Sequence, residues 1–422
     1  MTKHVYPVKL RPNPVNAALE VPGSKSVTNR ALLLAAMARG TSVLRGVLFS
    51  GDTRSFLDCL QALGFEMSVN EAAKTVAITG GAPKADASVN VGSAGTGARF
   101  LTAYLAACEG EYRIGASEQM QKRPMKPLLD ALVQLGCSVT YLGKEGFLPV
   151  TLRGARLRGG EITLDAGMSS QFTSALLMTG ILHRNDLVIR PGGGEIAKSY
   201  IGITLTMMAQ FGVEAVWDGG VYTVPAGEGY TARDYAVEPD VSGACYFYAA
   251  AALTGGSVLV KNVFLSSMQG DIQFLGILER MGCKVAETPE GVRVTGGAQL
   301  AGIDADMNDC SDQTMTLAAI APFASSPTVI RNVGHIRHQE SDRLSATLTE
   351  LRKMGIRCDE TDNGLVVYPG NPKPSLVETY DDHRMAMAFS LTGLRAGGIQ
   401  IANPSCVSKT FENYFGLFET LY

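Results

Sequence analysis

The sequence predicts an α/β protein of two lobes, each made of three repeated βαβαββ-like units and joined by a hinge. Three observations carry that expectation. The 422 residues are more than one ordinary domain accommodates. A pattern of small-residue apolar helix, short strand, polar loop, second helix ending in an apolar residue plus Gly, and further strand recurs about every 70 residues. Between the third and fourth copies, "PAGEGYTARDYAVEPD" is polar, punctuated by Pro and Gly, and has no helical period. A unit that cannot bury its own face must stack on its copies, so six copies most simply form two globules of three. The crossing is placed near Ala236. One lobe is then residues 1–22 plus 237–422, with the initial strand "VYPVKLRP" returning to it, and the other is 23–236.

The copies open in order with "RALLLAAMA", "ARFLTAYLAACEG", "QFTSALLMTGIL", "CYFYAAAALTGG", "TMTLAAIAPF" and "HRMAMAFSLTGL", the last copy being truncated. Ala and Leu on nearly all faces predict that each first helix is buried. Second helices such as "TRSFLDCLQALG" and "ESDRLSATLTELRKMG" carry charge on one side and should face solvent. In the five full copies they end at Gly64, Gly136, Gly212, Gly282 and Gly355. The β-rich stretches "TVAIT", "PVTL", "VYTVP", "VRVTG" and "GLVVYPG" follow the second helices and predict mixed sheets.

Composition narrows the function classes. A net charge of −3 with 18% charged residues gives no basic footprint for nucleic acid, which leaves small molecules as the expected partners. Cys59, Cys108, Cys137, Cys245, Cys283, Cys310, Cys358 and Cys406 form no C-x-x-C pair, which fits reduced thiols better than a disulfide frame or a zinc site. The start "MTKHVYPVKLRPNP" lacks a signal-peptide core, and no run reaches the roughly 18 apolar residues of a membrane span. A cytoplasmic protein with no membrane partner is expected.

The stretch "VPGSKSVTNR" bears on function. Gly23 can take backbone angles that other residues avoid, the first N–H groups of the following helix lack partners within it, and Lys25 and Arg30 add positive charge. It reads either as a place for an anion or as an N-capped helix with a solvated lysine. Similar stretches precede the other first helices: "VGSAGTGAR", "DAGMSSQF", "EPDVSGACY", "MNDCSDQTM" and "YDDHRM". Each alone is an ordinary cap. Six together, with Lys25, Arg30, Arg99, Gln171 and Arg384 beside them, point toward binding of anions or hydroxyls. Arg123 in "EQMQKRPMK", Arg343 in "IRHQESDR" and Lys409 in "SCVSKTF" stand near the second helices. A lone Arg at such a place is most often a solvated surface residue. Lys25, Arg123, Arg343, Arg384 and Lys409 together, with Asp312 and Glu340, suit a substrate with phosphate and carboxylate groups, because guanidinium forks match such anions and the two acids can move protons.

These residues resemble the 5-enolpyruvylshikimate-3-phosphate synthases, the enolpyruvyl transferases of aromatic amino-acid synthesis. The ordered set covers essentially the whole chain: "PGSKSVTNRALLLAA", "GSAGTGAR", "KRPMKPL", "SSQFTSALLM", "DQTMTLA", "ESDRL", "DDHRMAMAFSL" and "SKTF". The resemblance implies two inside-out α/β lobes, a barrel-like arrangement that closes on shikimate 3-phosphate and then phosphoenolpyruvate, in a monomer with no metal or organic cofactor. It also implies roles. Lys25, Gly95, Arg123, Gln171, Arg343, Arg384 and Lys409 would bind phosphoenolpyruvate. Ser24, Lys25, Arg30, Ser169, Ser170, Gln171, Tyr200, Asp312 and Gln339 would bind shikimate 3-phosphate. Asp312 would deprotonate the 5-hydroxyl, Glu340 would protonate the methylene carbon and Lys25 would shuttle a proton. Asp240 would stand at the inter-lobe face.

The chain also departs from the family pattern. Gln339 stands where a Lys is common, Ala197 where a phosphate-binding Ser is common, and His335 replaces a usual Asn. Losing a cation and a hydroxyl should weaken the grip on the shikimate phosphate by about 2–4 kcal/mol, unless Lys198, Ser199, His338 or His335 compensates. Phe100 follows Arg99 where well-known bacterial members often have Pro, which bears on the inhibition by glyphosate expected from Gly95. The sister transferase acting on UDP-N-acetylglucosamine should show a Lys-Asn pair and a reactive loop cysteine; here Lys25-Ser26 and a loop without Cys stand in their place. A non-catalytic phosphosugar-binding relative should have lost Asp312, Glu340 or Lys25, and all three are present.

Overall fold

The computed structural model describes residues 4–165, 169–192, 198–227 and 229–422. The chain divides into two compact units, lobe one (residues 1–22 with 238–422) and lobe two (23–237).

In lobe two the repeats begin with helices Lys25–Met37, Gly95–Ala106 and Ser170–Gly180. Lacking a polar side, they are buried almost whole, and every residue of Gly95–Ala106 is inside. Fully buried Leu32, Leu33 and Leu34 each contribute about 1.5–3 kcal/mol by leaving water. The second helices Gly51–Ala62 and Lys126–Leu135 bury one face only. Phe56, Leu57 and Leu60 point inward while Asp58 and Gln61 are exposed. Gly136, just past Leu135, has φ 110° and donates its N–H back to Leu132 and Val133, a left-handed stop that residues with a Cβ rarely adopt. Lys198–Gln210 is more apolar, with Ile201, Ile203, Met207 and Met208 buried.

Each repeat of lobe two carries a four-stranded mixed sheet. A short strand lies parallel to the strand after the first helix, and two antiparallel strands follow. In the second repeat Ser88–Asn90 runs parallel to Gly110–Gly115, which pairs antiparallel with Val150–Gly154 and that in turn with Ser138–Tyr141. The first repeat borrows its parallel strand, Asp234–Ala236, from the end of the lobe, where it pairs with Thr41–Arg45.

Lobe one repeats the scheme on helices Val241–Thr254, Thr314–Ile320 and His383–Arg395, the last packing against the other two. Here the amino-terminal segment supplies strands. Asn16–Leu19 lies parallel to Ser257–Lys261, and Val5–Pro7 pairs antiparallel with Ile399–Ala402 to complete a three-stranded sheet in the truncated sixth copy. The sheets of each lobe stay separate, none closing on itself among the described residues. The inside-out character therefore resides in the burial of the first helices. Among the described residues no helix is long and apolar enough to cross a membrane, and all eight cysteines are free thiols.

Candidate active site

In lobe two the predicted residues gather at the starts of the three buried helices. Ser24 caps Lys25–Met37, its hydroxyl accepting from Val27 N at 3.5 Å. Lys25, the first helical residue, lies 3.6 Å from the buried Asp52 carboxylate. Arg30 is buried one turn further on, and all its hydrogen-bond partners among the described residues are neutral: the Thr204 hydroxyl (2.8 Å), the Ser26 carbonyl (3.0 Å), the Ser174 hydroxyl (3.2 Å) and the Tyr200 carbonyl (3.0 Å). With no carboxylate to offset it, burial pulls the Arg30 pKa down to about 10.

Gly95 opens the next helix, packed beneath two guanidinium groups. A Cβ there would lie 2.5 Å from Arg123 Nη1 and 2.8 Å from Arg99 Nη1. Arg99 turns back to the Gly95 and Pro124 carbonyls and over the Phe172 ring, while Arg30 lies over Phe100, so guanidinium-on-ring contacts link the three helices near their starts. At the third start Ser169 caps Ser170–Gly180 by accepting from Gln171 N at 3.2 Å. The Gln171 Oε1 is buried without a hydrogen-bond partner, an acceptor left open for a ligand donor. Lys198 is exposed and Ser199 half-buried. Ala197 lies outside the described residues.

In lobe one five predicted residues form one ion network. Arg343, 1% exposed, donates to Asp382 (2.8 and 3.3 Å), Asp312 (2.9 Å) and Glu340 (2.9 Å). Burial opposes its charge, but Asp382, then Glu340 and Asp312, outweigh that penalty and hold the guanidinium above its ordinary range. The other Asp312 oxygen accepts from Arg384 at 2.6 Å, and Lys409 Nζ lies 3.6 Å from the other Glu340 oxygen. Two carboxylates of different surroundings are thereby strung on one buried cation. Carboxylates held in this way can take up or give a proton to a group bound beside them. His335 donates to or accepts from the Ser311 hydroxyl at 2.9 Å, and burial keeps its imidazole below the usual range against the pull of Asp312. Gln339 is half-buried with no hydrogen bond to this network, and His338 is exposed. Asp240 caps Val241–Thr254 through Gly243 N. Among the described residues no group of His, Cys, Asp or Glu is placed to hold a metal ion.

The EPSP synthase (3-phosphoshikimate 1-carboxyvinyltransferase) family model matches residues 10–418. The chain belongs to the EPSP synthase family. It is 46% identical over 409 residues to a 3-phosphoshikimate 1-carboxyvinyltransferase of Nostoc punctiforme, covering 96% of each chain. It is 40% identical to 3-phosphoshikimate 1-carboxyvinyltransferase 2 of Halalkalibacterium halodurans, covering 100% of this chain and 94% of the relative. Among solved structures it resembles an EPSP synthase of Acinetobacter baumannii with a TM-score of 0.83 at 25% identity, covering 100% of this chain and 98% of that one. Enolpyruvyl transfer to shikimate 3-phosphate is the EPSP synthase reaction.

Sequence reasoning missed several members of these clusters. Asp382 stood in the quoted "YDDHRM" but was read only as a cap; it also clamps Arg343, 39 positions away. Asp52, beside Lys25, and the Ser174–Thr204 pair, beside Arg30, gave no signal beyond ordinary helix residues. Their roles arise from packing between helices distant in sequence.

Proposed function

We propose that this chain transfers the enolpyruvyl group of phosphoenolpyruvate to the 5-hydroxyl of shikimate 3-phosphate and releases phosphate, by addition and elimination. The observation that carries the proposal is the acid pair Asp312 and Glu340 bridged by buried Arg343. Glu340 gives its proton to the methylene carbon, Asp312 takes the 5-hydroxyl proton, and that oxygen bonds to the central carbon to form a tetrahedral ketal. Glu340, now a carboxylate, takes back a methyl proton as phosphate leaves, which yields the vinyl ether. Fixed cations stabilise charge as it moves onto the departing phosphate.

Lys25, Gly95, Arg123, Gln171, Arg343, Arg384 and Lys409 serve phosphoenolpyruvate, and Lys25 also relays a proton. Ser24, Lys25, Arg30, Ser169, Ser170, Gln171, Tyr200, Asp312 and Gln339 serve shikimate 3-phosphate. Arg30 supports this division, since a buried guanidinium with neutral partners is offset by a ligand carboxylate. Arg343 already uses four of its five N–H groups on carboxylates, so its main service is to organise Asp312 and Glu340. The enzyme acts in the cytoplasm as a monomer, without metal or organic cofactor. Phosphate release from shikimate 3-phosphate plus phosphoenolpyruvate tests the proposal. Release with UDP-N-acetylglucosamine in place of shikimate 3-phosphate, and none with the latter, would overturn it.

A further inference from the structure

Behind Asp312 and Arg384 lies another carboxyl group, Asp271, in the turn Gly270–Gln273. It is 3% exposed, and no cation bonds to it among the described residues. One oxygen accepts a short bond from the Ser242 hydroxyl and a 2.8 Å bond from Gln313 Nε2; the other is buried with no hydrogen-bond partner. A carboxyl group placed this way costs stability that an apolar side chain would not. Burial, then Asp312, raises its pKa against the opposing pull of Arg384.

One partner of Asp271 contacts Arg384, and the other adjoins Asp312 in the chain. The single Ser242 proton is committed to Asp271, so the Ser242 oxygen faces Arg384 Nη2, 3.5 Å away, as an acceptor. That same Nη2 donates to Asp312 at 2.6 Å. Gln313 directly follows Asp312, and its amide is fixed at both ends, donating to Asp271 and accepting from the Thr316 hydroxyl at 2.9 Å. We infer that Asp271 is a positioning residue for the transfer reaction, aiming Arg384 through Ser242 and setting the Asp312 carboxylate through Gln313. The inference rests on the roles proposed above for Asp312 and Arg384.

Asp271→Asn keeps an oxygen for both donors, whereas Asp271→Leu removes it while keeping the branching of the side chain. Asp271→Asn is expected to retain activity within about threefold, while Asp271→Leu loses about 100-fold in kcat and raises the phosphoenolpyruvate KM about tenfold. Ser242→Ala, which removes the hydroxyl between Asp271 and Arg384 and leaves the Gln313 link in place, should raise the phosphoenolpyruvate KM about tenfold, and adding it to Asp271→Leu should raise that KM no further. Wild-type kinetics in folded Asp271→Leu, or KM effects that add, overturn the inference. If Asp271→Leu does not fold, an unchanged KM in Ser242→Ala overturns it alone. If the wild type releases no phosphate, the proposed function falls. Crystal structures of the variants then decide the inference, since Arg384 and Asp312 placed as in the wild type would refute it.

Discussion

A buried guanidinium needs polar or negative partners close by, and the two most deeply buried arginines of the described residues meet that condition differently. Arg343 has three carboxylates on it, whereas Arg30 has hydroxyls and carbonyls. The first is an internal framework; the second, in the function proposed above, is offset by a ligand carboxylate. The charges near the loops, Asp312, Glu340, Arg343, Arg384 and Lys409, were legible because they cluster in short polar runs between apolar helices. Asp382 and Asp271 were not, because nothing local distinguishes an acid that caps a turn from one that clamps a group dozens of residues away. At this scale Gln339 gives a direct prediction. Gln339→Lys should lower the KM for shikimate 3-phosphate about tenfold or more, a charge-assisted bond contributing about 1.5–3 kcal/mol. An unchanged KM in steady-state kinetics would show that no phosphate lies within reach of that side chain.

Helices and their ends set where these side chains arrive. Because an added Cβ at Gly95 would press on Arg123 and Arg99, Gly95→Ala should displace the far ends of two flexible side chains without unfolding the helix. The KM for phosphoenolpyruvate should rise about tenfold while kcat changes less, and a Gly95→Ala enzyme with wild-type KM would contradict that packing. His183, just after Ser170–Gly180, gives an element-scale prediction of another kind. It is fully buried, its ring nitrogens lack hydrogen-bond partners, and burial pulls its pKa from 6.5 to about 4. Between those values the unfolded chain takes up a proton that the folded chain refuses, so stability falls as pH drops from 6.5 toward 4, by about 3 kcal/mol in all. Urea midpoints should therefore decline on acidification more in wild type than in His183→Leu; equal declines would refute the assignment. Long apolar helices and their terminal glycines could be read from the sequence, as Gly136 and its φ of 110° illustrate. Strands such as Ser88–Asn90 could not, since three residues show no period and depend on a neighbour for their existence.

At the scale of the whole molecule, six repeats place their polar residues chiefly at helix starts and in loops. The buried first helices pack on one another through apolar side chains, and their starts carry polar caps, Ser24 and Ser169 in one lobe and Asp240 and Asp382 in the other, which accept from helix N–H groups. The repeat itself was visible in the spacing of five glycines. That strands from residues 5–19 complete two sheets of lobe one follows from pairing partners more than 200 residues away, which no local pattern encodes in register.

Addition–elimination makes a claim about hydrogen that can be read directly. If Glu340 protonates the methylene carbon, the intermediate carries a methyl group whose three hydrogens become equivalent by rotation before one is lost. Turnover in D2O should then place deuterium in the vinyl methylene of the product, as seen by NMR, and Glu340→Gln should abolish that incorporation together with phosphate release. A wild-type product formed in D2O with no deuterium at that carbon would contradict the mechanism.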